Sequence, residues 1–563
     1  MDYPFLQEAR RRGAKVVCVD PNRTVTAKRA DSWISLRPGT DGALALSLLG
    51  EIFALGLQSS SFLSRHSNAS FLVREETGGF LREQDVTGEE SVSYMVWDAR
   101  SRTAVPHGQA REPSLTGRYP VPLAGGETVL CAPALQLLRD LTEEFPPERT
   151  AEITEVPAQS IRDLAREFAT CKPSSIRIGF GVDRWYYSDY TARAVAALAV
   201  ATGNIGIPGG GISLHSGTYP VPLNLRTFRS PQGKSAETLD VISLMSAIET
   251  GNPYPVKALW LSAANLFNQT AANRGRVISD ILPQLEFLVV SDHFLTASAE
   301  VADLVLPACT IFEKTDLIPG IFFQLQQKVV EPEGESKSDL EIFAGLADRL
   351  GFGEYFRDTP EDYLEEVLAV DHPLLEGVTL ERLRREGAVF LNRPPEPYVA
   401  FQDLNFDTPS GRIELYKEEL VKHGAQLPVY REPIEASQQN PLFQRYPLTL
   451  LFSHSRHRIH STFANMPMIK KLDPEPVVDI HPADAAARGI DDEQLVRVYN
   501  ERGSVTLKCR LSPDLRPGVV VISEGYWVRD FRDGEPYGLT HDLVSPTSEN
   551  YAFYDTLVEV EKI

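Results

Sequence analysis

Short apolar runs that alternate with apolar helical stretches predict an α/β fold in the first part of the chain. Residues 15–19 form a continuous valine-rich run that ends at Asp20, which is typical of a strand covered on both faces of a parallel sheet. A helix is predicted next, because Thr40 or Asp41 can cap it and its apolar sequence runs to about Leu57. We expect this helix to be largely buried.

The following segment is predicted to leave the sheet. Residues 59–128 are rich in Gly, Pro, Ser and charge without a sustained period, which indicates a long excursion over the surface. Alternation then returns, with a strand and loop at residues 176–181, an Ala-rich helix at 190–202 and a Gly-rich loop at 203–211. We place this incomplete first α/β domain at residues 1–225.

A second α/β unit, placed at residues 226–440, repeats the pattern of the first. Its predicted helical stretch begins at Thr296, and its predicted strands are residues 257–261, 287–290 and 304–306. One valine-rich strand runs into Asp292, as the first strand of the chain runs into Asp20. Because open α/β sheets bind ligands at the carboxyl ends of their strands, two related nucleotide sites are predicted.

The last part of the chain, residues 441–563, changes to short strands separated by turn residues. Residues 481–489 are predicted to form a short helix closed by Gly489. The predicted strands are residues 448–452, 495–499, 505–509 and 519–522. This pattern indicates a compact β-barrel-like domain.

Composition excludes several classes of function. The 563-residue chain carries 56 Lys plus Arg against 77 Asp plus Glu, a formal charge of −21, which argues against a nucleic-acid or anionic-membrane surface. Its longest apolar stretches are shorter than the roughly 20 residues that a bilayer requires, so no membrane span is expected. The first residues carry no recognisable export signal, and the sequence leaves open whether the protein is cytoplasmic or exported.

The cysteines offer no metal-cluster pattern, because they are far apart and never form a C-x-x-C pair. Each lies in or beside an apolar run, where a buried free thiol is expected rather than a disulfide. They are Cys18, Cys131, Cys171, Cys309 and Cys509.

Several polar residues after the predicted strands can contact a ligand. Asp20 is placed to accept both ribose hydroxyls, and Arg23 and Thr24 follow within reach of a phosphate, although an ordinary Asp-Pro turn explains these residues equally well. Residues 37–41 fit either a ligand site or a capped helix start. Asn265 can place an amide on a base or phosphate, although a strand-to-helix loop is the simpler interpretation.

Two further motifs limit the kind of ligand. Gly179 and Gly181 lack the third glycine of G-x-G-x-x-G, so a nicotinamide site is not supported. Residues 454–460 concentrate three histidines and two arginines, spaced by three and three, without an adjacent acidic or thiol residue. Donors to an anionic or heterocyclic ligand therefore fit this segment better than a metal site.

Taken in order, these segments resemble the large catalytic subunits of the molybdopterin oxidoreductase superfamily, which includes dimethyl sulfoxide reductase, formate dehydrogenase and polysulfide reductase. The resemblance is specific because six runs occur in the same order. They are residues 13–21 (GAKVVCVDP), 37–41 (RPGTD), 203–206 (GNIG), 291–294 (SDHF), 302–307 (ADLVLP) and 484–489 (DAAARG) with 500–503 (NERG). Residues 454–460 and 549–554 look most like the branch with acetylene hydratase, transhydroxylase and aromatic dehydroxylases.

The resemblance implies two pseudosymmetric α/β domains that bind two molybdopterin guanine dinucleotides with Mo or W, closed by a C-terminal double-psi β-barrel. It also implies a small-molecule substrate and an iron–sulfur electron-transfer partner. Transferred position by position, the residues expected at the first guanosine are Asp20, Arg37 and Asp41, those at the second are Asn265, Asp292 and Thr296, and those at the pterins are Ser455, Arg456, His460 and Asn550. The candidate cofactor-binding set also contains Arg23, Thr24, Gly39, Gly179, Gly181 and His454.

The chain departs from the family at its start. Members usually begin with a cysteine cluster for a 4Fe–4S centre and a segment with the metal-ligating residue, both upstream of the strand that opens here at Lys15. We expect a fragment of a longer product rather than part of a split enzyme, because the first unit otherwise leaves a sheet edge unpaired. The cluster is expected only in that missing region, no catalytic or metal-ligating residue is assigned here, and this chain alone is expected to be inactive.

Two other functions remain open from the sequence. One is a non-catalytic scaffold subunit of a respiratory complex with the same fold, against which Asp20, Asp41, Asn265 and Asp292 argue. The other is a plain nucleotide-binding protein, which the missing glycine fingerprint disfavours.

Overall fold

The computed structural model describes residues 3–213, 221–225, 237–269, 273–356, 358–545, 547 and 550–563. The chain opens with α1 (Tyr3–Arg11), β1 (Val17–Val19), α2 (Val25–Arg29), β2 (Ser32–Ile34) and α3 (Asp41–Ala54). β1 pairs with β2 in parallel, and β2 is its one partner among the described residues. Because Val19 is 37% exposed, the prediction that this strand is covered on both faces is wrong.

Residues 59–128, predicted to be an irregular excursion, contain helices and strands of their own. The elements are α4 (Ser60–His66), β3 (Leu72–Arg74), α5 (Glu83–Thr87), β4 (Met95–Asp98), β5 (Thr103–Pro106), β6 (Tyr119–Pro122) and β7 (Thr128–Pro133). They form the sheets β3-β7-β6 and β4-β5. Their strands are too short to show a period, but they enclose a small core that includes Leu72, Met95 and Cys131.

α3 lies at the centre of the largest core of the molecule. The elements that follow are α6 (Ala134–Thr142), α7 (Pro147–Thr154), α8 (Ala158–Thr170), β8 (Ser175–Arg177), α9 (Ser188–Ala201) and β9 (Gly211–Ser213). Ten of the fourteen residues of α3 are buried, and α3 packs on α6, α7, α8 and α9. Its predicted burial is confirmed, and it ends at Ala54, slightly earlier than predicted.

The second α/β unit is built on a parallel sheet in the order β10-β11-β12. Its elements are α10 (Val241–Thr250), β10 (Ala258–Ser262), α11 (Leu266–Gln269), α12 (Arg274–Arg276), β11 (Phe287–Asp292), β12 (Leu304–Pro307), β13 (Asp316–Ile318), β14 (Phe322–Gln326), α13 (Asp339–Leu350), α14 (Pro360–Leu368), α15 (Leu380–Glu386) and β15 (Ala388–Phe390). The three predicted strands are confirmed as β10, β11 and β12.

The helical stretch predicted from Thr296 is wrong. The structure has a single 3-10 turn there, Ala299–Val301. The Thr296 hydroxyl donates to Asp292, and the Ser298 hydroxyl donates to Asn265. The Ser298 N–H also donates to the Asn265 side chain, so it is not available for a helical hydrogen bond, which is consistent with the short turn.

The C-terminal region forms a closed barrel of six strands. Its elements are β16 (Leu448–His454), α16 (Pro467–Leu472), β17 (Val477–Ile480), α17 (Pro482–Ala486), β18 (Leu495–Tyr499), β19 (Ser504–Leu511), β20 (Val519–Glu524), β21 (Asp533–Gly534) and β22 (Leu557–Lys562). The strand order β17-β20-β16-β22-β18-β19 closes because β19 pairs back with β17. The predicted barrel is confirmed, while β17 and β22 were not among the predicted strands.

The expectation that the cysteines are buried free thiols holds for three of the five. Cys131, Cys309 and Cys509 are buried free thiols, but Cys18 is only half-buried and Cys171 is exposed, because Cys171 follows the last turn of α8.

Among the described helices, none has the length and apolar character needed to cross a membrane.

Candidate functional site

Two carboxylates lie close to each other in the first α/β unit. Asp20 follows β1, and Asp41 is the first residue of α3. Burial raises the pKa of Asp20 to about 6, and burial together with the charge of Asp20 raises the pKa of Asp41 to about 6. Among the described residues, no Lys or Arg forms an ion pair with either carboxylate. Carboxylates without a cation suit a ligand that brings neutral N–H and O–H donors.

The Arg37 guanidinium is already hydrogen-bonded to other residues of this chain. Its Nη2 lies 2.9 and 3.0 Å from the two carboxylate oxygens of Glu432, and its Nε donates to the Ile153 carbonyl at 2.8 Å. The Tyr430 hydroxyl also donates to Glu432 at 2.9 Å. Arg37 therefore ties the first unit to the segment that precedes the barrel, and a contact with guanosine stays a prediction.

Gly39 occupies a position that no other residue fits. Its φ is +78°, and a Cβ there would lie 2.8 Å from Trp185 and Pro433. Of the other two candidate glycines, Gly181 lies beside Tyr554, whereas Gly179 faces open space. The backbone at Gly39 is thus pressed between neighbouring elements directly before the Asp41 carboxylate.

Arg23 and Thr24 lie at the start of α2. The Thr24 hydroxyl accepts from the Ala27 N–H at 3.3 Å and so caps this helix. Arg23 is exposed, with its guanidinium 5.7 Å from the centre of the Trp33 ring. The Trp33 indole N–H donates to the Asp20 carbonyl at 2.8 Å, which fixes the strand end beside both residues.

The corresponding edge of the second unit presents Asp292 and Asn265. Asp292 ends β11, and its carboxylate accepts from the His293 N–H at 2.7 Å and the Thr296 hydroxyl at 3.3 Å. The Asn265 side-chain oxygen Oδ1 accepts from the N–H and hydroxyl of Ser298 at 3.1 and 3.0 Å. Its amide donates to the Ser461 hydroxyl at 3.0 Å, which links this edge to the barrel.

Residues 454–460, which we call the histidine segment, are anchored by a buried arginine. The Arg458 side chain is 2% exposed, forms an ion pair with Asp473, and lies 3.8 Å from the centre of the Tyr526 ring. The Ser455 and Tyr526 hydroxyls both donate to Asp473 at 2.6 Å. The sequence argument missed Arg458 and Asp473, although Arg458 stands in the quoted segment.

The two outer histidines of this segment meet a carboxylate that the sequence argument also missed. His454 Nδ1 lies 2.7 Å from Glu524 Oε1, and the rings of His454 and His460 have centroids 4.9 Å apart. The hydrogen bond that His454 donates to Glu524 raises the pKa of His454. Burial opposes ionisation of Glu524, but the nearby histidines lower its pKa overall. The available signal was that β20 runs into an acidic residue, as β1 and β11 do.

Tyr554 connects the first unit with the barrel. Its N–H donates to the Arg184 carbonyl at 3.0 Å, and its hydroxyl donates to the Phe452 carbonyl at 2.6 Å. Burial, with smaller contributions from the charges of Glu524 and Asp20, raises the pKa of Tyr554, and the charge of Arg184 acts on His454.

Contacts therefore link both α/β units to the barrel near the histidine segment. From the first unit, the Arg184 carbonyl accepts from Tyr554 and the Arg184 charge acts on His454, and from the second unit Asn265 donates to Ser461, next to the segment. Arg456 is exposed within the segment. Asn550 is half-buried, and its carbonyl accepts from the Ser545 N–H at 3.0 Å, near the chain end that carries Tyr554.

Comparison with protein families gives two matches on this chain. The model of the molybdopterin oxidoreductase family matches residues 2–349. The model of the molydopterin dinucleotide binding domain matches residues 448–557, which cover most of the barrel.

Comparison with individual proteins supports the same family. The chain is 32% identical to the catalytic polypeptide of a putative dimethyl sulfoxide reductase of Halobacterium salinarum, over 100% of the chain and 68% of that protein. It is 30% identical to dimethyl sulfoxide reductase DmsA of Escherichia coli, over 99% of the chain and 69% of that protein. Acetylene hydratase from Pelobacter acetylenicus has the same fold, with a TM-score of 0.71 and 24% identity over 100% of the chain and 76% of that structure. The chain therefore belongs to the molybdopterin oxidoreductase family.

Proposed function

We propose that the chain binds two molybdopterin guanine dinucleotides and acts as the catalytic part of a molybdenum or tungsten oxidoreductase on a small substrate. The observation that carries the proposal is a carboxylate at the corresponding strand end of each α/β unit, Asp20 after β1 and Asp292 at the end of β11, with the second edge tied to the barrel through Asn265 and Ser461. Each edge offers acceptors for a guanosine, and the histidine segment of the barrel offers imidazole and guanidinium groups for the pterins.

The residues present fit such a cofactor. Desolvation raises the pKa values of Asp20 and Asp41, and no described cation forms an ion pair with either residue, so a bound guanosine can supply hydrogen-bond donors through its ring N–H groups and ribose hydroxyls. Asp292 keeps a similar position at the end of β11. Arg456, His454 and His460 are exposed on the histidine segment and can contact a heterocycle or phosphate.

The residues of this chain contribute to the chemistry by orienting the cofactor and by placing charged groups beside it. When bound, the metal centre supplies the redox chemistry by which an oxygen atom, a hydride or electrons pass to or from the substrate. Arg458 and Asp473 anchor the histidine segment, and the hydrogen bond to Glu524 orients His454 and raises its pKa. Gly39 allows the backbone before Asp41 to pack against Trp185 and Pro433.

Two finer features belong to the same proposal. The parallel pairs β16–β20 and β17–β19 within a closed six-stranded barrel support a double-psi barrel. Two relatives, one a putative dimethyl sulfoxide reductase and the other a perchlorate reductase, carry names that describe one polypeptide of a larger assembly. We include an iron–sulfur electron-transfer protein as the partner of this chain.

The test is a count of cofactor components. The chain is produced in a host that makes the cofactor, with molybdate or tungstate supplied, and the purified protein is analysed for metal, oxidised pterin and released guanine nucleotide. We expect two guanine nucleotides and two pterins for each metal ion. Asp20→Asn and Asp292→Asn should each lower the guanine content, while Asp316→Asn, an exposed aspartate of β13, should leave it unchanged.

The outcome also separates the rival functions. Protein that folds but carries neither pterin nor metal would contradict the proposal and favour the scaffold function. Guanine nucleotide without pterin would favour a plain nucleotide-binding protein.

A further inference from the structure

His454, His460 and Glu524 form a cluster whose geometry differs from that of an ordinary hydrogen-bonded histidine. One ligand atom from each residue, two ring nitrogens and one carboxylate oxygen, lies within 4.8 Å of the other two. The closest pair, His454 Nδ1 and Glu524 Oε1, is 2.7 Å apart. The sequence argument against a metal site relied on the absence of a neighbouring acidic residue, and the fold supplies that residue from another strand.

Two of these residues are placed by strand register. His454 and Glu524 are direct partners at the carboxyl ends of the parallel strands β16 and β20. Paired positions in adjacent strands put both side chains on the same face of the sheet, so their approach is fixed by the barrel core.

The third residue is placed by a constrained loop. His460 has a φ of +50°, and the loop before it is anchored by the buried Arg458. A Cβ at Gly525 would lie 2.6 Å from the His460 carbonyl oxygen and 3.0 Å from the Arg458 side chain. The turn after β20 therefore packs directly on this loop and returns His460 to the strand ends.

Two imidazoles and one carboxylate are a ligand set that Zn²⁺ and related ions accept, with a fourth position left for water. Ligand atoms about 2.0 Å from a tetrahedral ion are about 3.3 Å from one another. The cluster needs only modest side-chain rotation to reach that spacing, and both histidines are exposed enough to rotate.

We infer that the dinucleotide-free chain binds one divalent transition-metal ion, with Zn²⁺ as the representative, through His454, His460 and Glu524. The site stands without the proposed function, because it uses only groups of this chain. One consequence does rest on the proposed function: if His454 and His460 contact the pterins, Zn²⁺ and the dinucleotide exclude each other.

The site is tested by titrating dinucleotide-free protein with Co²⁺, followed by its visible absorption, and with Zn²⁺ alone by calorimetry. We expect one strong site for each chain. His454→Ala, His460→Ala and Glu524→Gln should each weaken binding at least about tenfold, since each removes one of three ligands. His457→Ala is the matched control, because it removes the third histidine of the same segment and should leave the affinity unchanged.

Clear results would overturn the inference. The inference fails if the wild-type protein has no strong site, or if the three ligand variants bind the ion as tightly as the wild type. It also fails if His457→Ala weakens binding as much as the ligand variants do. Melting curves of each variant identify those that fail to fold, and Glu524→Gln, which keeps side-chain shape, then decides. Zn²⁺ should also slow uptake of added dinucleotide, and uptake at an unchanged rate with Zn²⁺ bound would contradict the exclusion while leaving the metal site intact.

Discussion

At the scale of single residues, the paired carboxylates of the first unit make a prediction with a definite sign. The folded-state pKa values of Asp20 and Asp41 are raised from 3.8 to about 6. A raised pKa means that protonation favours folding, so this stabilisation is complete below pH 4 and is lost as the pH rises through about 6. A shift of about two units corresponds to roughly 3 kcal/mol.

We therefore expect Asp41→Asn to stabilise the dinucleotide-free chain at about pH 8 by up to roughly 3 kcal/mol and to flatten the loss of stability above about pH 4. Thermal unfolding across this pH range measures the difference. Asp98→Asn is a control of opposite sign, because hydrogen bonds from Ser101 and Glu112 lower the pKa of Asp98 to about 2. It should lower the melting temperature at neutral pH, whereas a destabilised Asp41→Asn variant would contradict the argument.

Gly39 gives a second prediction at this scale. Gly39→Ala places a Cβ 2.8 Å from Trp185 and Pro433 at a φ of +78°. Left-handed backbone and overpacking each cost about 1–2 kcal/mol, so a loss of roughly 2–4 kcal/mol is expected in denaturant unfolding. Gly179→Ala, where the added Cβ meets nothing within 4 Å, should change stability by less than about 0.5 kcal/mol. Similar effects of the two substitutions would show that packing at Gly39 is not tight.

At the scale of elements, the conformation of the histidine segment depends on one buried ion pair. Arg458→Met leaves the partly exposed Asp473 without its cation, and since breaking a fully buried pair costs roughly 3–5 kcal/mol, a loss at or below the lower end of that range is expected. We expect lower stability in urea and weaker cofactor retention. The double variant Arg458→Met with Asp473→Asn should recover part of the stability, because no uncompensated charge remains.

The matched control for this element is Arg456→Met, which changes an exposed arginine in the same segment. It should alter stability by less than about 0.5 kcal/mol. Equal destabilisation by Arg456→Met and Arg458→Met would show that the Arg458–Asp473 pair does not anchor the segment.

At the scale of the whole molecule, the site is assembled from three parts of the chain. If the dinucleotides span these parts, loading should suppress local opening of all three segments together, since each opening would break contacts with the ligand. We expect slower hydrogen exchange on loading in residues 17–24, 291–298 and 454–461, measured by mass spectrometry. As an internal reference, β4 and β5 should keep their exchange rates.

The expected pattern can fail in a recognisable way. Protection confined to one of the three segments would indicate a ligand bound to a single unit. Asn265→Ala, which removes the bond to Ser461, should reduce protection of residues 454–461 more than that of residues 17–24.

The sequence alone determined the elements whose signals are local. Continuous apolar runs predicted β10, β11 and β20, and the apolar stretch after Asp41 predicted the buried helix α3. The ordered runs also predicted the family, and the strand ends at Asp20 and Asp292 marked the candidate site. These inferences depend on residues adjacent in sequence, where burial and capping leave a direct pattern.

Only the tertiary structure decided which residues act together. Glu524 reaches His454 through strand register, Asp473 reaches Arg458 across α16, and Asn265 reaches Ser461 from another unit. The helix expected at Thr296 gave way to side-chain bonds with Asp292 and Asn265. The contacts of Glu524, Asp473 and Asn265 join positions in different elements, and their energies depend on burial and distance, which no local pattern encodes.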